Sequence, residues 1–388
     1  MKRRLILTTL FTFYFFLLSS QVRVRLLTGQ NPDYLFFTVL SGKYQVDDFI
    51  DEKIILFPGE IIVLARSNDM IMIKVRGRSG ISADSVFFKG LTDESSFSIS
   101  SGSRELVSGT YSGDLECRSD LATILLINTC DIEKYISGVV KAEGGSGRHE
   151  EYFKAQAVIT RTYTYKNLGK HIFDGYDLCD DTHCQVYKGI TNDPLIIKAV
   201  LHTKGMVITT PDSSLIYAAF HSNCGGETSP SEYVWLASLP YLKKVIDPYC
   251  TKSGNAKWEK KVSLKDWTRM LKNNGAVNLS SDITSYAFEQ SVRKRDYVTA
   301  TLSVPLRAIR DDLGLKSTWF SVSVLGDSVI LKGRGYGHGV GLCQEGAMTM
   351  ARTGKNYKAI IGFYYRNVKI ISIDNTKKES GKLITMQY

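Results

Sequence analysis

The sequence predicts an α+β fold: a β-rich N-terminal region followed by a mixed α/β domain with a central helix that carries an acid. Three observations predict it. From Gln21 to about Thr110 the chain is a succession of short β-branched and aromatic runs, VRVRLL, LFFTVL, KIILF, EIIVLA, MIMIKV, SVFFKG and FSIS, each bounded by Gly, Asn, Asp or Ser. Ile132, Tyr135, Ile136, Val139 and Val140 then recur at the spacing of an amphipathic helix. Further on, strands around Phe320 to Val324 and Val329 to Lys332 run into the glycine-rich turn GRGYGHGVG, and a helix opens near Leu342.

Ahead of these elements, residues 1 to 20, MKRRLILTTLFTFYFFLLSS, have a basic start and an apolar run ending in small residues. That is the layout of a Sec-type secretory signal, so the mature chain is expected to begin near Gln21 and to be exported to the periplasm, envelope or exterior. An uncleaved N-terminal anchor is the alternative. The 388 residues suffice for one large or two ordinary domains, and 43% hydrophobic content marks a globular chain. Net charge is +10, and losing Lys2, Arg3 and Arg4 with the signal leaves +7, a charge suited to an anionic surface polymer or cell wall. No Lys/Arg run with interleaved aromatics marks a nucleic-acid groove, so nucleic acid is excluded as the expected partner.

Two alternating strands, RELVSGTYSGDLECR and LATILLIN, lead into the central helix, with Thr129 or Asp131 available as its N-cap. Continuing the apolar face by one turn lands on Glu143, and Gly144 with Gly145 supply the stop. Burial and the negative end of the helix dipole both oppose ionisation there, which suits a general acid. The competing reading is a partly exposed last-turn residue, or one paired with Arg161 or Lys141. A second helix is expected from about Glu150 to Leu168, stopped by Gly169 and apolar nearly all round at Ala155 to Ile159. Gln156 and Arg161 then stand among buried neighbours and need partners. For Arg161 those are either an ion pair or a substrate in a cleft.

HIFDGYDLCDDTHCQVYKG reads as a polar loop closing on a short strand, and DPLIIKAVLHT as a helix. MVITT and LIYAAF read as a hairpin through PDSS, followed by the Gly-containing loop HSNCGGETSPSEYVW. Residues 258 to 310 are lysine-rich and read as an insertion or subdomain, with a helix at SLKDWTRMLKNNG and a strand at DYVTATLSV.

Several constellations carry candidate chemistry. GRGYGHGVG lacks the GK[ST] of a phosphate loop, and its alternating glycines fit either a close backbone approach or a tight hairpin. Cys179, His183 and Cys184, with His171 upstream, have donor types suited to zinc, although a disulfide competes in an exported chain. Cys224 and Cys250 flank one loop and could form another bridge. With seven cysteines, at least one stays out of any disulfide. Cys343 near His338 offers a Cys nucleophile with a His base.

The runs DIEKYISGVVKAE, FKAQAVITRTY, CDDTHCQVYKG, FHSNCGGETSPSEYVW with LPYL, LRAIRDDLGLKSTWF and GRGYGHGVGLCQEGA occur in the order seen in the stage II sporulation protein D family, which the chain resembles over roughly residues 105 to 370. That family contains peptidoglycan lytic transglycosylases. The resemblance implies a catalytic domain at 105–370 after a β-rich region at 21–104, with a C-terminal tail at 371–388. It also implies Glu143 as the catalytic acid, with Arg161, Gln185, Tyr187, His221, Gly225, Gly226, Arg334, His338 and Gln344 lining a glycan groove. Some members bind zinc beside the site, so Cys179, Cys184 and His171 or His183 inherit that option, although no cofactor is required for the chemistry. Expected partners are peptidoglycan glycan strands and a cell-wall amidase. Two departures are visible: the family's Glu-Met-Pro is Glu143-Gly144-Gly145, and Cys224 and Cys343 stand at Ser-type positions. A non-catalytic glycan-binding module or amidase enhancer, and a Cys-dependent peptidase or amidase, are the alternative functions.

Overall fold

Alternation of buried and open side chains sorts the first third of the chain into two facing sheets. The computed structural model describes residues 21–47, 53–75, 80–100, 109–120, 123–145, 148–235, 237–277 and 279–376, so the candidate signal lies outside the described residues, as does the tail beyond Thr376. Gln21–Leu26 buries Val22 and Val24 completely and pairs antiparallel with Thr123–Asp131 along its whole length. These are central strands of a seven-stranded sheet that also holds Leu178–Cys179, Asp114–Asp120, Ser85–Gly90, Tyr44–Asp47 and Ile54–Leu56. A six-stranded sheet is built around Tyr34–Ser41 and Ile61–Ser67. Phe37 of the second sheet stacks on Phe88 of the first with centroids 4.1 Å apart, and Tyr44 and Phe97 close the same aromatic layer. Because the seven-stranded sheet draws strands from both sides of residue 104, the β-rich region and the helical region share one hydrophobic core.

The strand Thr123–Asp131 feeds directly into helix α1, Ile132–Gly144. Asp131 is its N-cap and accepts the N–H groups of Glu133 and Lys134 at 2.9 and 3.0 Å, an arrangement that stabilises by about 1 kcal/mol. Ile132, Tyr135, Ile136, Val139 and Val140 are all buried, each contributing roughly 1.5–3 kcal/mol. Gly144 stays within the helix, and Gly145 alone takes the positive φ, 73°, that ends it. Helix α2, Glu150–Lys166, is buried on nearly every side between Ala155 and Thr162, which is why its centre carries only small or apolar residues apart from Gln156 and Arg161. Helix α3, Pro194–His202, packs against both and is capped by Asp193.

Two local expectations change. Leu178–Cys179 at the start of the CDDTHC loop is the strand, parallel to Gln21–Leu26, whereas Gln185–Lys188 runs extended without a strand partner. The hairpin expected through PDSS forms only at its turn. Met206–Thr209 pairs with Lys369–Ser372, while the turn through PDSS still closes, Thr210 N–H bonding the Ser214 carbonyl, and the return limb forms no strand beyond the Leu215–Thr209 bridge and the Ile216 N–H bond to the Ile208 carbonyl. That limb turns back on itself, Ala219 N–H bonding the Tyr217 carbonyl, and the Tyr241 hydroxyl accepts the Tyr217 N–H instead.

The lysine-rich segment has a core of its own. Helix α4, Leu264–Asn273, helix α5, Leu306–Asp312, and a sheet of Lys257–Ser263, Ser328–Arg334 and Phe320–Leu325 enclose Trp267, Leu271, Tyr297, Val322 and Leu331. DYVTATLSV is a hairpin, Asp296–Val298 with Ser303–Pro305, rather than one strand, because Thr299 N–H turns onto the Leu302 carbonyl. Helices α6, Gln344–Arg352, and α7, Tyr357–Tyr364, return to the main core against α2. Among the described residues, no helix is long and apolar enough to cross a membrane.

Candidate functional site

Glu143 sits half-buried in the last turn of α1, and burial raises its carboxyl above the usual range. The opposing influence is one hydrogen bond, from Val186 N–H to Oε1 at 3.1 Å. The two cations that competed for it are engaged elsewhere. Arg161 donates to Glu133 through Nε at 2.9 Å and Nη2, and to the carbonyls of Met206 and Val200, while Lys141 reaches Asp193 at 3.8 Å. Arg161 is fully buried in this fork, as a structural ion pair and not as a donor facing an open cleft.

The opposite side of Glu143 is supplied from far along the chain. Gln344, the first residue of α6, donates Nε2–H to the Glu143 carbonyl at 3.1 Å, satisfying one of the orphan acceptors of the helix end. Cys343 before it pairs in parallel register with His221, and the rings of His221 and His338 lie 5.5 Å apart. One continuous chain of contacts therefore joins Glu143, Gln344, His221 and His338. His338 donates from Nε2 to the Phe220 carbonyl and accepts Val340 N–H at Nδ1, which fixes a neutral tautomer; desolvation lowers its pKa to about 4. His221 donates from Nδ1 to the Val340 carbonyl, its Nε2 has no hydrogen-bond partner, and burial pushes its pKa well below the usual histidine value. The ring of Trp235, which no sequence pattern singled out, lies 5.8 Å from that of His338.

The remaining expected groove residues divide. Tyr187 is a core residue, fully buried, its ring 4.9 Å from Tyr135 and 5.9 Å from Tyr111. Gln185 is also buried, its Oε1 accepting the Thr164 hydroxyl at 3.1 Å while its Nε2 has no hydrogen-bond partner among the described residues. The alternating glycines serve a close approach of the chain to itself: a Cβ at Gly335 would stand 2.6 Å from the Asn223 carbonyl, and one at Gly225 2.7 Å from Arg334. Gly226 has φ +111° and accepts Asp247 N–H. Arg334 is exposed, with its guanidinium 5.1 Å from the Trp319 ring centre.

His171, Cys179, His183 and Cys184 converge, their ligand atoms all within 4.8 Å of one another. Cys184 Sγ is 3.5 Å from His171 Nε2, and Cys179 Sγ is 3.6 Å from His183 Nδ1. Two thiols and two imidazoles in such a volume fit one tetrahedral zinc ion. The loop is anchored by Asp180, whose carboxylate accepts the N–H groups of Leu27 and Thr28 at 2.7 and 3.0 Å. By contrast, Cys343 is fully buried and its sulfur accepts N–H bonds from Cys224 and Gly346. With both nitrogens of His338 held by backbone groups, the Cys343–His338 nucleophile pair does not exist.

A family model described as Stage II sporulation protein matches residues 121–210, the stretch from the strand before α1 through α3 and the strand Met206–Thr209. Stage II sporulation protein D of Bacillus subtilis is 31% identical over 64% of this chain and 76% of its own length. The chain belongs to the stage II sporulation protein D family. An uncharacterized protein of Brachyspira hyodysenteriae is 28% identical over 94% of this chain and 97% of its own. Another relative within reach of the family, the amidase enhancer of Bacillus subtilis, is 29% identical over 61% of this chain but only 40% of that longer protein.

Against this family background, sequence reasoning missed the backbone donor Val186 and the ion-pair partner Glu133. A main-chain N–H leaves no mark on residue type. Glu133 lies 28 residues from Arg161, and the only available signal was that a buried guanidinium needs a carboxylate from somewhere.

Proposed function

We propose that the protein is an exported peptidoglycan lytic transglycosylase in which Glu143 acts first as general acid and then as general base. The observation that carries the reading is the state of Glu143: a half-buried carboxyl, raised by desolvation, with the Val186 N–H on Oε1 and no ion-pair partner among the described residues. A carboxyl of that kind keeps its proton to higher pH than an exposed glutamate and can pass it to a glycosidic oxygen. As the bond between muramic acid C1 and the departing oxygen breaks, the proton moves from Glu143 to that oxygen. The carboxylate then takes the proton of the sugar's own 6-hydroxyl as that oxygen bonds to C1, leaving a 1,6-anhydro end. Water is not consumed, so one carboxyl suffices where hydrolytic glycosidases use two. Val186 N–H steadies the carboxylate stage, and Gln344 fixes the helix end that carries it.

His171, Cys179, His183 and Cys184 would hold a zinc ion whose part is structural, since four protein ligands leave no open position. Their role is to fix the loop that presents Val186 to Glu143. Trp235 and Arg334 offer an aromatic face and an exposed cation for sugar rings and acidic stem peptides.

A second reading is enhancement of a cell-wall amidase, favoured by the relative bearing that name. Digestion of purified glycan strands separates the two. The transglycosylase releases 1,6-anhydro products and Glu143→Gln does not; an enhancer releases none alone yet accelerates an added amidase with either residue at 143. Ordinary reducing ends would refute the intramolecular step and require a second carboxylate.

A further inference from the structure

Outside the Glu143 site, the departures from the family pattern at Cys224 and Cys343 meet in space. Cys224, Cys250, Cys343 and Asp247 are all buried, and their ligand atoms all lie within 4.8 Å of one another. Cys224 Sγ is 3.3 Å from Cys250 Sγ and 3.2 Å from Asp247 Oδ2. In a tetrahedral site with Zn–S bonds of about 2.3 Å, neighbouring sulfurs stand about 3.8 Å apart, so the cluster is of single-ion size. We infer that these four residues form a second zinc site, distinct from the His171–Cys184 tetrad, built from three thiolates and one carboxylate.

The surroundings are those of bound thiolates and not of a disulfide with a spare cysteine. Cys343 Sγ accepts two backbone N–H groups, from Cys224 at 3.3 Å and Gly346 at 3.4 Å. Asp247 is oriented on both oxygens, by Tyr249 N–H at 2.8 Å and the Tyr364 hydroxyl at 2.9 Å, which turns Oδ2 toward the sulfurs. Such outer donors fix ligand geometry at metal sites. A Cys224–Cys250 disulfide would leave the third thiol and a fully buried carboxylate facing it. Charge also closes. Zn²⁺ with three thiolates and a carboxylate carries two negative charges, and the buried guanidinium of Arg293 stands beside it, donating to the carbonyls of Cys224 and Glu227 at 2.7 Å each while Nη1 has no partner. Binding displaces three protons, one from each thiol. The odd cysteine count is then accounted for: two in the tetrad, three here, and Cys117 and Cys130 buried as small apolar residues in the central sheet.

The site ties three segments together: the loop after His221, the turn at Asp247 to Cys250, and the start of α6. Since Gln344 follows Cys343 directly, zinc here fixes the residue that holds the Glu143 carbonyl. The acid thus lies between two metal-bound segments, one presenting Val186 and the other Gln344. This inference stands whether the protein cleaves glycan or not.

Metal analysis of the purified full-length chain, prepared anaerobically with zinc supplied, tests it. Cys250→Ser is expected to lose one zinc per chain and Cys179→Ser to lose the other independently. Replacing zinc with Co²⁺ in the wild type gives a readout that needs no variant: thiolate-to-cobalt charge-transfer absorption corresponding to five thiolates over the two sites, falling by three-fifths if the Cys250→Ser protein folds. Zinc content unchanged by Cys250→Ser, absorption matching two thiolates in the wild type, or an intact mass two daltons low that maps to a Cys224–Cys250 bridge would each overturn it.

Discussion

Gln344 donates its side-chain amide to the carbonyl oxygen of Glu143 although 201 residues separate them in the chain. The bond joins the first residue of α6 to the last turn of α1, and Val186 N–H reaches the same glutamate's carboxyl from a third segment. The helix end is therefore held at its backbone and at its side chain by different parts of the molecule.

Removing the Gln344 donor with Gln344→Leu leaves the Glu143 carbonyl unsatisfied, a cost of about 1–3 kcal/mol. The expected result is a melting temperature lower by a few degrees and a several-fold loss in kcat for glycan cleavage with KM nearly unchanged, since Gln344 acts through Glu143. A raised KM with intact kcat would place Gln344 on the glycan instead.

For Glu143→Gln, loss of proton transfer predicts a fall of about 10² to 10⁴ in cleavage rate with glycan binding retained, measured by turnover and co-sedimentation with insoluble wall. Stability should move the other way. The native carboxyl is raised above its ordinary 4.5 by burial, so its proton stabilises the fold fully below that value and the stabilisation is lost as pH rises through the native pKa. Gln cannot titrate. Relative to wild type, the variant therefore gains stability as pH rises from about 4.5 through the native pKa, and melting curves across that rise check the sign.

Breaking the Arg161–Glu133 pair from one side leaves a carboxylate with 12% side-chain exposure and no guanidinium. Arg161→Met is expected to destabilise by about 3–5 kcal/mol in denaturant unfolding, and adding Glu133→Leu should recover much of it. If the single variant unfolds normally but loses glycan affinity, Arg161 belongs to the groove after all.

Gly138 lies inside α1, where alanine is ordinarily worth about 1 kcal/mol in helix propensity. A Cβ there would stand 2.2 Å from the Gly189 carbonyl and 2.6 Å from the Tyr187 ring. The clash with backbone outweighs the propensity gain, so Gly138→Ala should destabilise by about 1–3 kcal/mol and reduce cleavage by displacing the segment that carries Val186. Unchanged stability in thermal unfolding would show that this contact is slack.

What the sequence by itself determined is whatever depends on near neighbours in the chain. The 3.6-residue period from Ile132 to Val140, the Asp131 cap and the glycine stop are local, and together they place Glu143 on a buried helix end. The Cys179–Cys184 loop is equally local, and its short span forces the donors of His183 and the two thiols together once the chain turns. Tertiary structure alone decided which group each of these meets. Arg161 found Glu133 and not the cleft, because α1 and α2 pack with that carboxylate in reach of a guanidinium that burial would otherwise strand. Tyr187 became core because Gly138 opens room for its ring. The glycines of the GRGYGHGVG turn proved to serve contact with the segment from His221 to Gly225, and Cys343 met Cys224, Asp247 and Cys250, by pairings between segments far apart in the chain. Such pairings depend on burying distant apolar faces together, and the resulting proximity of polar groups leaves no periodicity for a sequence to display.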